Sequence, residues 1–219
     1  RETGSMLGIA HDGDGDRSIF CDEEGSVVEG DCILGILALD ARRRKASGSS
    51  NLVTTVYANH GLDHSLSNND VSVVRTNVGD RCVAERMREI GATVGGEPSG
   101  HLILNEWSPA GDGPMAALNL LRIMLERQSP LSELKKCVTL FPSFSGAYEV
   151  SKKIPLEELD GWNDFLQGQH KRLDEGRVFV RYSGTEPKIR ILVEGMDEAI
   201  ASEVFIATEE VLRKELKFL

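Results

Sequence analysis

The chain has 219 residues, of which 40% are hydrophobic, so it is long enough to bury a core in one large domain or two small ones. Lys and Arg total 25 against 35 Asp and Glu, and the net charge of −10 argues against a general nucleic-acid or anionic-membrane binder. No apolar run approaches the roughly 20 residues of a membrane span, and the 4 dispersed cysteines favour reduced thiols in a cytoplasmic protein.

The predicted elements begin after residues 1–5, whose polar character is typical of an expression-tag remnant, and we expect no signal peptide. Residues 7–10 and 18–21 are short apolar runs on either side of an Asp- and Gly-rich loop, which predicts strand, loop, strand. Apolar residues then recur at helical spacing over residues 31–44, with Asp31 as the expected N-cap.

The central part of the chain alternates between strand and helix patterns, which implies a mostly parallel sheet. Asp80 is the expected N-cap of one of these helices, which Gly91 should end. The predicted strands lie at residues 52–57, 71–75, 93–95 and 102–104, and the predicted helices at 62–66, 80–90 and 115–127.

The last third of the chain predicts a smaller α+β domain, so the expected fold is a mixed, mostly parallel α/β domain followed by a smaller α+β C-terminal domain. Its final element is a long amphipathic helix. The predicted helices lie at residues 131–136, 156–171 and 197–216, and the predicted strands at 138–140, 147–150, 178–182 and 189–194.

The strongest chemical signal is the acidic loop Asp12-Gly13-Asp14-Gly15-Asp16-Arg17, called the aspartate loop below. Alternating glycines let the backbone aim the three carboxylates at one point, and hard divalent cations such as Mg²⁺ prefer such oxygen ligands. Arg17 is suited to grip a phosphate that bridges to the metal, or else pairs with the aspartates. An EF-hand is disfavoured, because its sixth position would be Arg17 instead of glycine and its flank is strand-like.

A second loop, Gly95-Gly96-Glu97-Pro98-Ser99-Gly100-His101, is called the glycine loop. Its glycines allow close approach of a ligand, and its Glu, Ser and His side chains suit sugar hydroxyls. Taken alone, this pattern is more typical of an ordinary turn.

A third segment, residues 181–190, reads Arg-Tyr-Ser-Gly-Thr-Glu-Pro-Lys-Ile-Arg and is called the phosphate loop. Two hydroxyls, the N–H groups around Gly184 and two flanking arginines predict an anion site between strands. A fourth segment, residues 75–81, lies at a strand-to-helix junction, where α/β sheets bind ligands.

Together and in this order, the motifs DGDGDR, TxVGDR, GGEPSGH and RYSGTEP resemble the α-D-phosphohexomutase superfamily. The text around residues 130–134 and 153–159 is most similar to its phosphoglucosamine mutase branch, which interconverts glucosamine 6-phosphate and glucosamine 1-phosphate. Phosphomannomutase and phosphoglucomutase remain alternatives, as does a non-catalytic module that binds a sugar phosphate or Ca²⁺. One departure is Ser108-Pro109-Ala110 before Gly111-Asp112-Gly113, where many relatives have threonine.

The resemblance implies a role for each matching residue and a phosphosugar as the substrate. Arg17 and His101 match catalytic positions, of which His101 has a possible proton-transfer role. The implied Mg²⁺ ligands are Asp12, Asp14 and Asp16. The implied substrate contacts are Glu97 and Ser99 for sugar hydroxyls, and Arg181, Ser183, Gly184, Thr185 and Arg190 for the non-reacting phosphate.

The resemblance also implies four domains in the intact enzyme, of which this chain would hold the later part. Residues 6–29 match the last strands of the second domain, residues 30–127 the third domain and residues 138–219 the fourth. The missing N-terminal domains of the same enzyme are therefore expected partners. The first domain would supply a loop resembling Thr-Ala-Ser-His-Asn, whose serine carries the phosphate, and since this sequence contains no such loop we expect the chain alone to be inactive.

Overall fold

In the computed structural model the chain forms two compact units, one up to residue 140 and one from residue 141 onward. The first unit begins with a small antiparallel sheet. The structure describes residue 2 and residues 4–218. The strands are β1 (Gly8–His11), β2 (Ser18–Cys21) and β3 (Val27–Val28), hydrogen-bonded in that order. His11 pairs with Ser18 across β1 and β2, so the aspartate loop is the tip of a hairpin.

Helix α1 (Gly30–Arg43) follows the hairpin and packs its apolar residues into the main core of the unit. The prediction that Asp31 caps this helix was wrong, because the N-cap is Glu29. Asp31 already lies in the first turn, where its Oδ1 accepts a hydrogen bond from the N–H of Asn59 (2.8 Å). Its acceptor capacity therefore stabilises another loop instead of the helix start.

A four-stranded sheet forms the centre of the unit. Its strands are β4 (Asn51–Thr55), β5 (Ser72–Thr76), β6 (Val94–Gly96) and β7 (Leu102–Leu104), in the order β5-β4-β6-β7. Strand β4 is parallel to β5 and β6, and β7 is antiparallel to β6, which confirms a mostly parallel sheet. Helix α2 (Gly61–Ser67) connects β4 to β5, and α3 (Asp80–Ile90) connects β5 to β6.

Helix α3 begins and ends where the sequence predicted, although its cap differs. Asp80 is the first helical residue, and the N-cap is Gly79 with a φ of +124°. At the other end, Gly91 adopts the left-handed conformation (φ +66°) that lets the N–H of the cap reach the carbonyl of Met87. A glycine thus lies at each end of the helix.

Helix α4 (Gly113–Arg127) completes the layers of the first unit. Asp112 is its N-cap and accepts a hydrogen bond from the N–H of Met115 (2.8 Å). One face of the sheet packs on a core that includes residues of α1, α2 and α4, and the other packs on a smaller core with Val83 and Met87 of α3. The first unit is therefore an α/β/α sandwich.

The end of the first unit contains α5 (Leu131–Leu134) and a 3₁₀ turn (Lys135–Cys137). The predicted strand at residues 138–140 was wrong, because this stretch has no strand pairing. Val138 is buried instead, with its side chain against the backbone of Gly35 in α1. Packing of that apolar side chain, and not sheet formation, accounts for the apolar pattern.

The second unit is an antiparallel sheet with helices against it, which confirms the predicted α+β class. The sheet contains β8 (Ser143–Glu149), β9 (Arg177–Tyr182) and β10 (Lys188–Glu194), in the order β8-β10-β9. Its helices are α6 (Trp162–Leu173) and α7 (Glu198–Leu216). The predicted helix over residues 156–171 is split, because Gly161 adopts φ +67° between a 3₁₀ turn (Leu156–Glu158) and α6. Among the helices described here, none is both long enough and apolar enough to cross a bilayer.

Candidate functional site

The aspartate loop gathers three carboxylates at one point of the first unit. Asp12, Asp14 and Asp16 each place an oxygen within 4.8 Å of the others. Gly15 has a φ of +73°, and its N–H donates to the carbonyl of Asp12 (3.3 Å), so the backbone turns back between the aspartates. Both flanks of the loop are strands, whereas an EF-hand would need helices.

Arg17 closes the loop and offsets part of its negative charge. Its Nε lies 2.7 Å from Oδ2 of Asp12 and 3.4 Å from Oδ1 of Asp16. Desolvation alone would raise the pKa of Asp12, but the backbone N–H and the guanidinium of Arg17 hold it below its usual value. Asp12 is therefore ionised at neutral pH, while half of the Arg17 side chain remains exposed to solvent.

His101 of the glycine loop lies beside the aspartate loop, although the two segments are far apart in the sequence. Arg17 and His101 form an isolated antiparallel bridge, and the N–H of Ser18 donates to the carbonyl of Gly100 (3.0 Å). The imidazole Nε2 of His101 lies 3.5 Å from Oδ2 of Asp16. His101 is only 6% exposed, so its ring is held at the edge of the carboxylate cluster.

Residues 111–113, at the start of α4, hold both loops in place, and sequence analysis did not predict this role. The backbone of Gly111 lies against the imidazole ring of His101, where a β-carbon would come within 2.7 Å of Cδ2. The N–H of Gly113 donates to the carbonyl of Gly15 (3.0 Å), and a β-carbon there would lie 2.8 Å from that carbonyl oxygen. The only sequence signal was the Gly-Asp-Gly pattern itself, which is equally typical of a helix start.

Glu97 and Ser99 lie at the carboxyl end of β6, which is the edge of the sheet where ligands bind in α/β folds. Oε1 of Glu97 accepts a hydrogen bond from the N–H of Gly79 (3.1 Å). Ser99 is exposed. The hydrogen bond between Glu97 and Gly79 joins the glycine loop to residues 75–81, so the second and fourth sequence motifs share one edge.

In the second unit, Arg181 and Arg190 lie directly opposite each other in the antiparallel pair β9–β10. Like charges in this arrangement repel, so an anion bound at this face would stabilise the pair. Glu186 offsets part of the charge, since its Oε2 lies 3.2 Å from Nη2 of Arg190. Nε of Arg190 is buried and has no hydrogen-bond partner within residues 4–218.

The turn between these strands presents backbone donors as well as side chains. Ser183 is buried, and its N–H donates to the carbonyl of Lys188 (2.8 Å). Gly184 and Thr185 are exposed, and in the part of the chain that is described their N–H groups donate to no protein acceptor. Such adjacent donors beside two arginines form an arrangement that can accept phosphate oxygens.

The structure thus places the candidate residues in two sets, one in each unit. Asp12, Asp14, Asp16, Arg17 and His101 form one continuous group in the first unit, with Glu97 and Ser99 in the same glycine loop as His101. The second set consists of Arg181, Ser183, Gly184, Thr185 and Arg190.

The aspartate loop is chemically suited to a hard divalent cation. Three carboxylates with converging oxygens match the ligand type that Mg²⁺ prefers, and the lowered pKa of Asp12 keeps that carboxylate ionised and able to coordinate. The exposed side of Asp14 leaves room for further oxygen ligands.

Two family models together match most of the chain. The alpha/beta/alpha domain III of phosphoglucomutase/phosphomannomutase matches residues 29–141, and the C-terminal domain of the same family matches residues 147–211. A phosphoglucosamine mutase of Desulfotalea psychrophila is 41% identical over 98% of this chain and 48% of its own length. One of Anaeromyxobacter dehalogenans is 47% identical over 89% of this chain and 43% of its own. The chain therefore spans about half the length of these relatives.

Solved structures share the fold. The crystal structure of Aspergillus fumigatus N-acetylphosphoglucosamine mutase in complex with GlcNAc-6P and magnesium aligns with a TM-score of 0.75 at 21% identity. The alignment covers 95% of this chain and 48% of that one. The likeness establishes that both units have counterparts in a solved protein of about twice the length.

Proposed function

Because this chain belongs to the phosphoglucomutase/phosphomannomutase family, we propose that it is part of a phosphoglucosamine mutase. The reaction would interconvert glucosamine 6-phosphate and glucosamine 1-phosphate. Support for this substrate comes from the relatives named phosphoglucosamine mutase, at 41% and 47% identity. A cytoplasmic location also remains our prediction, on the basis of the 4 dispersed cysteines.

The observation that carries the proposal is the position of His101 beside the aspartate loop. A carboxylate cluster alone could be a solvated turn, and a glycine loop alone could be an ordinary turn. Because the aspartate loop and the glycine loop lie side by side, three carboxylates, a guanidinium and a buried imidazole surround one point. This combination is suited to phosphoryl transfer, because cationic groups stabilise the moving phosphoryl group and a nearby group can exchange a proton.

In the proposed reaction, a phosphoserine transfers its phosphoryl group to the free hydroxyl of the sugar phosphate, which gives a bisphosphate and a free serine. The bisphosphate turns around, and its other phosphoryl group returns to the serine. In the first step the attacking sugar hydroxyl loses a proton and the departing serine oxygen gains one. In the second step the serine hydroxyl loses a proton and the departing sugar oxygen gains one. Because this sequence contains no Thr-Ala-Ser-His-Asn segment, we propose that the 219-residue chain does not catalyse the reaction by itself.

The residues of the first unit would bind and orient the reacting end of the sugar. Asp12, Asp14 and Asp16 would hold Mg²⁺, which supplies positive charge next to the phosphoryl oxygens. Arg17, with half its side chain exposed, would donate to those oxygens. Nε2 of His101 would take or return the proton of the sugar hydroxyl.

Two further groups would hold the rest of the substrate. Glu97 and Ser99 would accept and donate hydrogen bonds to sugar hydroxyls, with Glu97 oriented by the N–H of Gly79. In the second unit, Arg181, Arg190 and the turn between them would bind the phosphate that is not reacting.

The substrate proposal is tested by an assay of the complete protein encoded by the gene that contains this sequence. Glucosamine, glucose and mannose 6-phosphates are compared by kcat/KM, and we expect glucosamine 6-phosphate to have the highest value. A preference for glucose or mannose phosphate would instead identify a phosphoglucomutase or phosphomannomutase. Binding without turnover of any of the three would favour a sugar-phosphate-binding module.

A further inference from the structure

A lysine outside the predicted motifs contacts the backbone of the phosphate loop. Nζ of Lys153 donates a hydrogen bond to the carbonyl oxygen of Ser183 (2.6 Å). The adjacent residue strengthens this connection, because the hydroxyl of Tyr182 donates to the carbonyl of Ile154 (2.6 Å) and accepts from its N–H (3.2 Å). Residues 153–154 are therefore bound to residues 182–183 at three points.

Among the described residues, the charge of Lys153 is not offset by a carboxylate, whereas the charge of Lys188 in the phosphate loop is. Nζ of Lys188 lies 2.8 Å from Oε1 of Glu186, which forms an ion pair with it. For Lys153, by contrast, no carboxylate lies within ion-pairing distance anywhere in residues 4–218. Its ammonium therefore adds a net positive charge at the start of the phosphate loop.

The geometry of the peptide bond links this contact to the anion site. Ser183 contributes the carbonyl, and Gly184 the N–H, of one planar trans peptide, in which the two groups point in opposite directions. A cation bound to the carbonyl oxygen therefore turns the N–H of Gly184 away from Lys153. It also polarises the peptide, which makes that N–H a stronger donor. Gly184 is exposed, so without this contact its peptide would have little to fix its orientation.

We propose that Lys153 is a positioning residue for phosphate binding, which acts by holding the Ser183–Gly184 peptide with its N–H directed toward the bound anion. This inference rests on the proposed function of the phosphate loop. Lys153 does not itself need to touch the phosphate. Its contribution is the orientation of a backbone donor and a positive charge behind it.

The test is a titration of the ¹⁵N-labelled 219-residue chain with inorganic phosphate at constant ionic strength, followed by the amide signals of Gly184 and Thr185. Lys153→Met removes the donor and the charge while keeping a side chain of similar length. Lys152→Met is the matched control, because Lys152 is exposed and makes no ion pair or hydrogen bond within residues 4–218. Lys153→Arg restores both the donor and the charge.

We expect Lys153→Met to raise the Kd for phosphate about 5- to 10-fold, since a charge-assisted hydrogen bond and a nearby cation are lost. Lys152→Met should change it less than about twofold, and Lys153→Arg should recover most of the affinity. If Lys153→Met lowers the melting temperature of the chain, Lys153→Gln takes its place in the comparison. Equal affinities of the position-153 and position-152 variants would overturn the role of Lys153 alone. No saturable shift of Gly184 or Thr185 in the unmodified chain would overturn the phosphate loop as well.

Discussion

The backbone of Gly111 packs against the imidazole ring of His101, and a methyl group at Gly111 would overlap that ring. His101 is only 6% exposed, so its ring cannot move aside without disturbing the contact of 3.5 Å between its Nε2 and Oδ2 of Asp16. We therefore expect Gly111→Ala to lower kcat/KM of the complete protein about 100-fold, as small displacements of reacting groups do.

A double-mutant cycle with His101→Ala checks this relationship. Removing the ring makes room for the methyl group, so Gly111→Ala should cost little further activity in the His101→Ala background. Additive losses would contradict the idea that Gly111 acts through His101. The melting temperature of each variant is measured alongside to exclude general unfolding.

Gly168 offers a stabilising substitution in the second unit. It lies inside α6, is exposed, and a β-carbon there would meet no atom within 4 Å. We expect Gly168→Ala to stabilise the unit by about 0.5–1 kcal/mol, because alanine loses less backbone entropy in a helix. Gly91→Ala is the contrasting variant, since its φ of +66° is strained for alanine, and it should destabilise the first unit. Urea unfolding measures the free energy of unfolding, which should rise in Gly168→Ala and fall in Gly91→Ala.

Asp40 is a buried carboxylate that binds three arginines. Its side chain is 2% exposed and lies 2.6 Å from Arg122, 2.8 Å from Arg43 and 2.9 Å from Arg44. We expect Asp40→Asn to lower the free energy of unfolding by about 3 kcal/mol, because the arginines lose their shared counter-charge. Asp70→Asn is the control, since Asp70 is 87% exposed and pairs weakly with Arg42.

The same carboxylate predicts a pH dependence. Burial alone would raise the pKa of Asp40, but hydrogen bonds from Arg122, Arg43 and Arg44 hold it below its usual value. A lowered pKa in the folded state stabilises the fold above the unfolded-state value of about 4, and this stabilisation is lost as the pH falls below it. The melting temperature of the unmodified chain should therefore fall more steeply below about pH 4 than that of Asp40→Asn. Parallel curves would contradict this assignment.

Helix and strand positions were largely readable from the sequence because periodicity and terminal glycines are local signals. Helix α3 was predicted from Asp80 to Ile90, since its apolar spacing ends at a glycine suited to the left-handed conformation. Asp31 was misassigned as a cap because its partner, the N–H of Asn59, is distant in sequence. The apolar run at 138–140 was read as a strand, although burial of Val138 against α1 explains it.

The candidate site was readable only where its residues are consecutive. The spacing of Asp12, Asp14 and Asp16 at alternate positions was enough to predict that their carboxylates converge. The contacts of Gly111 with His101 and of Lys153 with Ser183 have no local pattern, because each joins segments that meet only after folding. Glycine and exposed lysine are also common at positions without any such role.

The aspartate loop should bind divalent cations in the isolated chain, and Asp14 should contribute to affinity. We expect Asp14→Asn to weaken Mn²⁺ binding about tenfold, because one of three converging carboxylates loses its charge. Asp160→Asn, at an exposed turn of the second unit, should have no effect. The Mn²⁺ affinity of each variant is measured by paramagnetic broadening of the Gly13 and Gly15 amide signals, with Mg²⁺ as competitor. Equal broadening in Asp14→Asn and the unmodified chain would contradict the predicted ligand role of Asp14.

The most direct test of the proposed mutase is a ³¹P NMR assay of the complete protein supplied with glucosamine 6-phosphate, Mg²⁺ and a trace of the bisphosphate. We predict that the glucosamine 1-phosphate signal grows to equilibrium with the unmodified protein. Asp14→Asn should be folded but at least about 100-fold slower, because it lacks one carboxylate of the proposed metal site. A folded, complete protein that produces no glucosamine 1-phosphate, or an Asp14→Asn variant with undiminished turnover, would contradict the account.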